Sequence, residues 1–372
     1  MFTNWVKAKI NIKIIIISAL LAIFALIIIF FSSSKTENPA FKTQITAAQK
    51  VLTAQKVIYQ AKKARNLKVN TKLDPNKTAL IGQEYTKLTT TLGNLKAKRT
   101  ATNTDFAALM VDYFKKLNLK AGDKIAIGAS GSFPGLILSV LSASETMDLK
   151  VELIYSLGSS MYGANIPNFS FIEMLKELRK EQILSYKIRA LSLGGDNDRA
   201  DNLFFSDNKN TFFKIAEKES IPLIYEEDLE ASIQKRIDIL KKNSQTNQIK
   251  TFINIGGASA NFGSTSASVK FENGLTIPGK LNTEYAKNGL LSYFLSQNIP
   301  VIHLLNIENL ARENGIQIDP VPLPKPGQAD VYYIINYNKH LISSLLLIII
   351  IPLLLAKFWT KYNQSRRIKN EI

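Results

Sequence analysis

The sequence predicts an α/β domain with a mostly parallel sheet and helices on both faces, flanked by one N-terminal and one C-terminal transmembrane helix. Three observations lead to this prediction. A hydrophobic segment lies near each end of the 372-residue chain. Between them, short apolar runs alternate with amphipathic segments, a pattern typical of parallel strands connected by helices. Loops of small residues follow four of the apolar runs, as expected at the ligand-binding edge of a parallel sheet.

The first hydrophobic segment, residues 10–31, contains a single charged residue, Lys13, near its N-terminal edge. A helix of about 20 apolar residues is long enough to cross the hydrocarbon core of a bilayer. A cleaved signal peptide is the alternative, but its hydrophobic run is shorter, and residues 31–34 offer the only candidate cleavage region. We therefore predict a retained transmembrane helix, preceded by a cytoplasmic N-terminus over residues 1–9.

The second hydrophobic segment is predicted to cross the membrane over residues 339–359. Tyr337 and Trp359 would lie at the two membrane interfaces, where amphipathic rings are favoured. Pro352 is compatible with a membrane helix, because neighbouring groups can satisfy the carbonyl that it leaves free. The chain is thus expected to be anchored at both ends.

Basic residues around the two segments predict the orientation, because cytoplasmic flanks of membrane helices are rich in Lys and Arg. Five basic residues follow the apolar core of the second segment: Lys357, Lys361, Arg366, Arg367 and Lys369. Lys35, Lys42 and Lys50, just beyond the first segment, argue mildly for the opposite orientation. Giving more weight to the C-terminal cluster, we predict that both termini, including the basic tail over residues 360–372, are cytoplasmic, and that residues 32–340 lie outside.

The formal net charge of +17 is unevenly distributed. Residues 35–72 carry nine basic residues and one acid, whereas residues 73–338 carry 29 basic and 28 acidic residues. The excess therefore belongs to the membrane flanks and to one stretch beside the first span, and it does not support a nucleic-acid partner. Within that stretch, apolar spacing predicts a helix over residues 40–66. We interpret residues 32–72 as a basic helical stalk; a helix covering the domain, or a basic surface for anionic lipid or polymer, are the alternatives.

The composition limits the chemistry of the chain. It has no cysteine, which excludes disulfides and cysteine metal sites, and two histidines, which excludes a histidine-cluster metal site. No spacing of carboxylates suggests a metal site either. Neither a Walker A loop nor a G-x-G-x-x-G fingerprint is present. We therefore predict no metal and no cofactor.

The main domain is predicted to span residues 73–338, with alternating elements. An Asn103 or Thr104 cap favours a helix start near residue 106, and acids followed by bases along residues 229–242 suit the dipole of a helix. Helices are predicted over residues 106–114, 135–147, 171–180, 210–219, 229–242 and 283–297. Strands are predicted over residues 124–128, 151–155, 188–192, 222–225, 251–255, 300–304 and 331–335.

Four loops of small residues follow predicted strands: residues 128–132, 156–160, 194–199 and 256–261. Parallel strands place their C-terminal loops at one edge, and glycine lets backbone donors approach a ligand closely. Tight turns that merely require glycine are the alternative. Taking the loops together, we predict one cleft, with ligand contacts from Gly128, Gly131, Gly158, Ser159, Gly195, Gly257 and Ser259.

A serine hydrolase is one interpretation of the first loop. Ser130 or Ser132 follows a strand, as in a nucleophile elbow, although Ser132 stands where the second glycine of G-x-S-x-G belongs. Asp196 or Asp198 and then His303 complete the chain order of an α/β-hydrolase triad. A lone histidine at the end of a strand is more often a structural hydrogen-bonding residue.

Residues 81–103 form a polar stretch with six threonines that ends near Lys98 and Arg99. An irregular surface loop is one interpretation. The other is a loop that folds over the cleft, with Lys98 or Arg99 meeting a carboxylate or phosphate of the ligand.

This stretch, together with GASGSFP at residues 128–134 and SLGSSMYGAN at residues 156–165, resembles the poly-γ-glutamate system protein family. The resemblance covers roughly residues 45–325. It implies an accessory protein in the bacterial cytoplasmic (inner) membrane that takes part in making, exporting or anchoring poly-γ-glutamate. The polymer and the membrane subunits of poly-γ-glutamate synthase are the implied partners. The resemblance supplies no catalytic residues, so a hydrolase or transpeptidase acting on γ-glutamyl amides stays open as the alternative.

Overall fold

The computed structural model describes residues 12–201, 204, 209–242, 248–263, 271–279 and 289–370. The helices are α1 (Ile12–Ser32), α2 (Phe41–Ala64), α3 (Leu95–Thr100), α4 (Asp105–Lys116), α5 (Pro134–Thr146), α6 (Phe171–Lys180), α7 (Lys209–Glu219), α8 (Leu229–Lys242), α9 (Ser259–Phe262), α10 (Leu290–Ser296), α11 (Ile307–Glu313) and α12 (Lys339–Asn370). The strands are β1 (Ser34–Glu37), β2 (Thr89–Thr91), β3 (Lys124–Ser130), β4 (Lys150–Ser156), β5 (Ser159–Ser160), β6 (Ile188–Ser192), β7 (Leu223–Ile224), β8 (Ile249–Ile255), β9 (Gly274–Thr276), β10 (Val301–Leu304) and β11 (Tyr333–Asn336). They belong to two compact units, Met1–Asn38 with Tyr333–Ile372, and Pro39–Tyr332.

The terminal unit brings the two ends of the chain together. Strands β1 and β11 pair antiparallel, with Ser34 opposite Asn336, and helices α1 and α12 contact each other. Helix α1 and the Lys339–Asn363 part of α12 are long and apolar enough to cross a membrane. Their apolar side chains are mostly exposed, and no residue of the most apolar part of α12 is buried. Such a surface is unfavourable in water and natural in lipid.

The larger unit is built on a sheet with strand order β7-β6-β4-β3-β8-β10-β9. The neighbouring strands are parallel except at the β9 edge, which pairs antiparallel with β10. The mixed α/β class and the mostly parallel sheet predicted from the sequence are confirmed. The antiparallel edge strand β9 was not predicted, because its three residues include one glycine and lack an apolar run.

Two apolar clusters show why the sheet is covered on both faces. All seven residues of β3 are buried, and alternate side chains point to opposite faces. Ile125 and Ile127 join a cluster with residues of α2, α4, α5 and α6. Ala126 joins a second cluster with residues of α8, α9 and α10. A strand that is buried at every position therefore lies at the centre of the sheet, as the sequence suggested.

Helix α2 is an integral part of the larger unit, which begins at Pro39 rather than at residue 73. Its inner face of small residues, including Ala47 and Ala54, is fully buried and allows a close approach to α4 and α5. Gln55 on the same face donates to the carbonyl of Thr102 at 2.8 Å. The helix thus covers the domain, which was the alternative to a separate stalk, while Lys42, Lys56 and Lys63 stay exposed.

The last predicted strand and one predicted helix differ from the structure. Residues 331–335 were expected to end the main domain, whereas β11 pairs with β1 in the terminal unit. The helix expected over residues 283–297 is present as α10 from Leu290, and its first part lies outside the described residues.

Candidate functional site

A cavity of about 420 Å³ lies at the C-terminal edge of the sheet, beyond strands β3, β4, β6 and β8. All four loops of small residues contribute to its wall, because parallel strands direct these loops to one side. Their contributions are Ser130 and Ser132, Gly158 and Ser160, Gly195 and Asp196, and Gly257 and Ser259. Four segments far apart in sequence therefore share one site.

The threonine-rich stretch folds over this cavity. Strand β2 pairs in parallel with β5, which places Thr89 beside Ser159 and Thr91 beside Ser160. Asn94 then caps α3 by accepting a hydrogen bond from the Ala97 N–H at 3.1 Å. The stretch lines the cavity through residues 90–94, Ala97 and Lys98. Of the two interpretations of this stretch, the structure shows the loop over the cleft.

Hydrogen bonds join the stretch to the two serine-containing loops. The Gly82 N–H donates to the Tyr162 carbonyl at 3.0 Å, and Lys98 Nζ donates to the Ser132 carbonyl. The two loops are joined to each other by the Ser160 N–H, which donates to Ser132 Oγ at 3.0 Å. Glycine is required at position 82, because a Cβ there would lie 2.0 Å from the Gly163 oxygen. Residues 81–103, 128–134 and 156–165 thus form one hydrogen-bonded body around the cavity.

Lys98 is buried in the cavity wall, with 3% of its surface exposed. Its Nζ donates to the Ser132 carbonyl and lies 2.5 Å from Ser160 Oγ. The Nζ also lies 4.0 Å from the centre of the Phe133 ring. Within the described part of the chain, no carboxylate forms an ion pair with it. Burial therefore lowers the pKa of Lys98 from 10.5 to about 7.

Arg99, the neighbouring cation, lies outside the cavity wall. Its guanidinium binds the Asp319 carboxylate through two hydrogen bonds, of 2.6 and 2.5 Å. This hydrogen bonding raises the pKa of Arg99. Because its planar donor face is occupied by Asp319, Arg99 is not placed to meet a ligand carboxylate.

His303 is buried on β10 and belongs to an amide network below the cavity. Its Nδ1 lies 2.8 Å from Asn254 Nδ2, and Asn261 links Asn254 Oδ1 to the Gly128 carbonyl. An amide nitrogen is a donor, so Nδ1 is the acceptor in this contact. Ser130 Oγ has no hydrogen-bond partner among the residues that the structure describes. The predicted serine–histidine pair is therefore not assembled in this structure.

The two candidate acids of the triad have different surroundings. Asp198 is buried and pairs with the fully buried Arg236, 2.7 Å from its Nη2. Ser192 and Ser232 also donate to the Asp198 carboxylate, at 2.8 and 2.5 Å. Asp196 is half-buried and lines the cavity. Asp198 is thus a structural ion-pair partner, and Asp196 is the acid that a ligand would meet.

Three predicted ligand contacts lie beneath the cavity wall rather than in it. A Cβ at Gly128 would come within 2.4 Å of Asn261 Oδ1, so this glycine permits close packing. The Gly131 N–H donates to the Ser156 carbonyl at 3.0 Å. Ser159 is fully buried, and its Oγ donates to the Gly131 carbonyl at 3.0 Å. These residues shape the loops that hold the lining groups.

Ser160 was missed by the sequence analysis, which selected its neighbour Ser159. Successive residues of an extended strand point to opposite sides, so only one of the two side chains can face the cavity. The pairing of β5 with β2 decides which one, and this register is not visible in the sequence. Among the described residues, no group of three His, Asp or Glu side chains is placed to hold a metal ion.

Comparison of the chain with protein-family models, with curated proteins and with solved structures found no match.

Proposed function

We propose that this chain is a membrane-anchored accessory component of a poly-γ-glutamate system. In this proposal the two apolar helices span the bacterial cytoplasmic membrane, both termini are cytoplasmic, and the α/β domain is extracytoplasmic. One observation carries it. The three segments that resemble the poly-γ-glutamate system family, residues 81–103, 128–134 and 156–165, are separate in sequence but together build the cavity wall. The three motifs that carry the resemblance therefore meet at one site.

The chemistry of the cavity suits a ligand that contains amides. Its wall combines hydroxyl groups with backbone groups of glycine-rich loops, and a γ-linked glutamate chain presents one amide and one carboxylate in each residue. Pockets for small ligands typically have volumes of about 300–1,000 Å³. At about 420 Å³ the cavity accommodates a short piece of such a chain rather than a long polymer.

A separate basic depression offers a surface for the rest of an anionic polymer. Helix α2 carries no acidic residue. Near its C-terminal end a depression of about 460 Å³ is lined by Lys63, Lys68 and Lys77 together with Tyr59. A cluster of one charge sign raises the local concentration of a polyanion without specific contacts. The cavity and this depression therefore predict different responses to mutation and salt.

The orientation can be tested with single cysteines, because the chain has none of its own. We expect a membrane-impermeant maleimide to label Ser185→Cys, at an exposed position of the α/β domain, in intact cells. Asn363→Cys, in the tail after the predicted span over residues 339–359, should be labelled only after permeabilisation. The cysteine-free chain controls for background. The reverse pattern would show that the domain is cytoplasmic.

Polymer binding can be tested by titrating the detergent-solubilised full chain with γ-linked glutamate oligomers. Gly257 lies in the cavity wall, and a Cβ built on it meets no atom of the described residues within 4 Å. We expect Gly257→Trp to fill the cavity and weaken binding by about tenfold or more, a change of about 1.4 kcal/mol in binding free energy. Gly257→Ala, which adds only a methyl group, is the matched control and should bind like the native chain.

The basic depression provides the contrasting variant. Replacing Lys63, Lys68 and Lys77 with alanine should reduce the salt dependence of binding, since fewer counterions are released. If this variant loses binding while Gly257→Trp keeps it, the interaction is a surface-charge effect and the cavity is not the polymer site. Unchanged polymer amount, length and attachment in cells that lack the gene would contradict the place in the poly-γ-glutamate system, including the expected association with synthase membrane subunits.

A further inference from the structure

We propose that Ser160 is a nucleophile and Lys98 its general base, and that the cavity catalyses acyl transfer from amides or esters. This proposal goes beyond binding of a polymer, and it does not depend on which acyl compound enters the cavity. It differs from the serine–histidine hypothesis in both residues.

The geometry is that of an activated hydroxyl. Lys98 Nζ lies 2.5 Å from Ser160 Oγ, within the hydrogen-bond reach that a nucleophile and its base require. Both residues line the cavity, and 8% of the Ser160 surface is exposed. The hydroxyl can thus be reached from the cavity, whereas the amine behind it is shielded from bulk water.

The surroundings of Lys98 favour its neutral, proton-accepting form. A lysine in water is almost fully protonated at neutral pH and cannot act as a base. Here burial without a carboxylate partner lowers the pKa of Lys98 to about 7, close to the value at which general bases work best. The Ser132 carbonyl accepts a hydrogen bond from Nζ and holds the amine in place. When the amine is neutral, the direction of the hydrogen bond between Lys98 and Ser160 reverses: the Ser160 hydroxyl donates to the lone pair of the amine.

Lys62 shows what a purely structural buried lysine looks like in the same protein. Its Nζ donates to the carbonyls of Ala79 and Ile81, at 3.4 and 3.3 Å. Carbonyl oxygens carry no proton to give, and Lys62 lies outside the cavity wall. Burial lowers the pKa of Lys62 as well, but among the described residues no hydroxyl is hydrogen-bonded to its Nζ. Lys98 differs from Lys62 because its Nζ contacts a hydroxyl, that of Ser160, at the cavity surface.

Backbone donors for the developing oxyanion lie next to Ser160. Ser132 and Phe133 immediately precede α5, a helix of 13 residues whose N-terminal end carries a partial positive charge. Their N–H groups donate to no acceptor among the residues that the structure describes. The hydrogen bond from the Ser160 N–H to Ser132 Oγ fixes this turn beside the nucleophile. A charge forming on a substrate oxygen there would be stabilised.

The reaction balances without any further reagent from the protein. Ser160 Oγ attacks the substrate carbonyl carbon, and its proton passes to neutral Lys98. The tetrahedral intermediate breaks its bond to the leaving amine or alcohol, which takes the proton from the Lys98 ammonium. An ester on Ser160 remains. Water then attacks it in hydrolysis, or a second amine in transpeptidation, again through Lys98, and the free enzyme returns.

A fluorophosphonate tests this mechanism, because attack by an activated serine forms an Oγ–phosphorus bond and releases fluoride. We expect the detergent-solubilised full chain to gain one label, located on Ser160 by peptide mass spectrometry. Ser160→Ala should lose the label, and Lys98→Met should slow labelling by about 100-fold or more, the usual contribution of a general base. The labelling rate should rise with pH and level off above about pH 7.

Matched controls keep the test specific. Ser185→Ala removes an exposed serine, and Lys96→Met removes an exposed lysine from the same helix as Lys98. Both should label like the native chain. If Lys98→Met does not fold, Ser160→Cys provides a second measurement, since its thiol should react with iodoacetamide faster at pH 7 than a thiol at Ser185→Cys.

Labelling that persists in Ser160→Ala, an unlabelled native chain, or a native rate in Lys98→Met would overturn the proposal. The probe contains no glutamate, so its result is independent of polymer binding. A chain that binds oligomers and is not labelled refutes only the acyl transfer. A chain that is labelled and does not bind them refutes only the polymer site.

Discussion

Replacing Arg236 with methionine is expected to lower the free energy of unfolding by about 3–5 kcal/mol, the range typical of breaking a buried ion pair by removing one partner. Arg236 is fully buried and Asp198 is 2% exposed, so neither charge can be solvated by water in the folded state. Without the guanidinium, the only side-chain donors left to the Asp198 carboxylate in the described part of the chain are the hydroxyls of Ser192 and Ser232. An uncompensated buried charge is therefore the dominant effect.

Pulse proteolysis of the detergent-solubilised full chain in urea measures this change, because cleavage reports the unfolded fraction of the α/β unit. Lys235→Ala, at the exposed adjacent position of α8, is the control and should change stability by less than about 0.5 kcal/mol. Asp198→Ala combined with Arg236→Met should be less damaging than the sum of the single changes, because the pair is removed together. A loss below about 1 kcal/mol in Arg236→Met would contradict a dry ion pair.

The sheet was predictable because most residues of its central strands are apolar. Residues 124–128 and 251–255 have few polar side chains, and a run of this kind can be buried on both faces. The structure extends these strands to Lys124–Ser130 and Ile249–Ile255. The common edge for the four loops followed from parallel topology alone. What topology could not supply is which side chains in those loops face the ligand.

The roles of individual polar residues depended on contacts between segments far apart in sequence. Lys98 lies in the polar run LKAKR, which resembles a solvated helix face, and it is buried only because this segment packs against the loops that contain Ser132 and Ser160. Arg99, the next residue, points instead to Asp319. His303 attracted attention by its residue type, but Asn254 binds its Nδ1. Residue type suggested the chemistry, and long-range packing decided the partners.

Lys98 is buried without a carboxylate partner among the described residues, so it destabilises the folded chain. The pH dependence of this destabilisation can be predicted. The pKa of Lys98 is about 7 in the folded chain and about 10.5 when the side chain is in water. Between these values the unfolded chain holds a proton that the folded chain lacks, so the native stability rises with pH across this window. Below about pH 7 both states hold the proton, and the folded state bears the full penalty of a buried charge.

Lys98→Met removes this titration while keeping a side chain of similar length. The stability of the variant minus that of the native chain should therefore be largest at or below pH 7. It should then fall by up to about 5 kcal/mol as the pH approaches 10.5, since each pH unit in this window is worth about 1.4 kcal/mol. Subtracting the two curves cancels the titration of groups that both chains share. Pulse proteolysis in urea from pH 6 to pH 10 provides the measurement.

Lys96→Met is the control for the same helix, because Lys96 is more than half exposed whereas Lys98 is buried. A difference between Lys98→Met and the native chain that stays constant with pH would mean that Lys98 keeps its proton throughout, and it would also remove the base from the proposed Ser160 mechanism. Two results together would support the mechanism: a stability difference between Lys98→Met and the native chain that falls with pH, and loss of fluorophosphonate labelling in Lys98→Met. They would mean that the chain retains a destabilising lysine at a position where its neutral amine is needed. Sites that work against stability in this way are expected where function requires them.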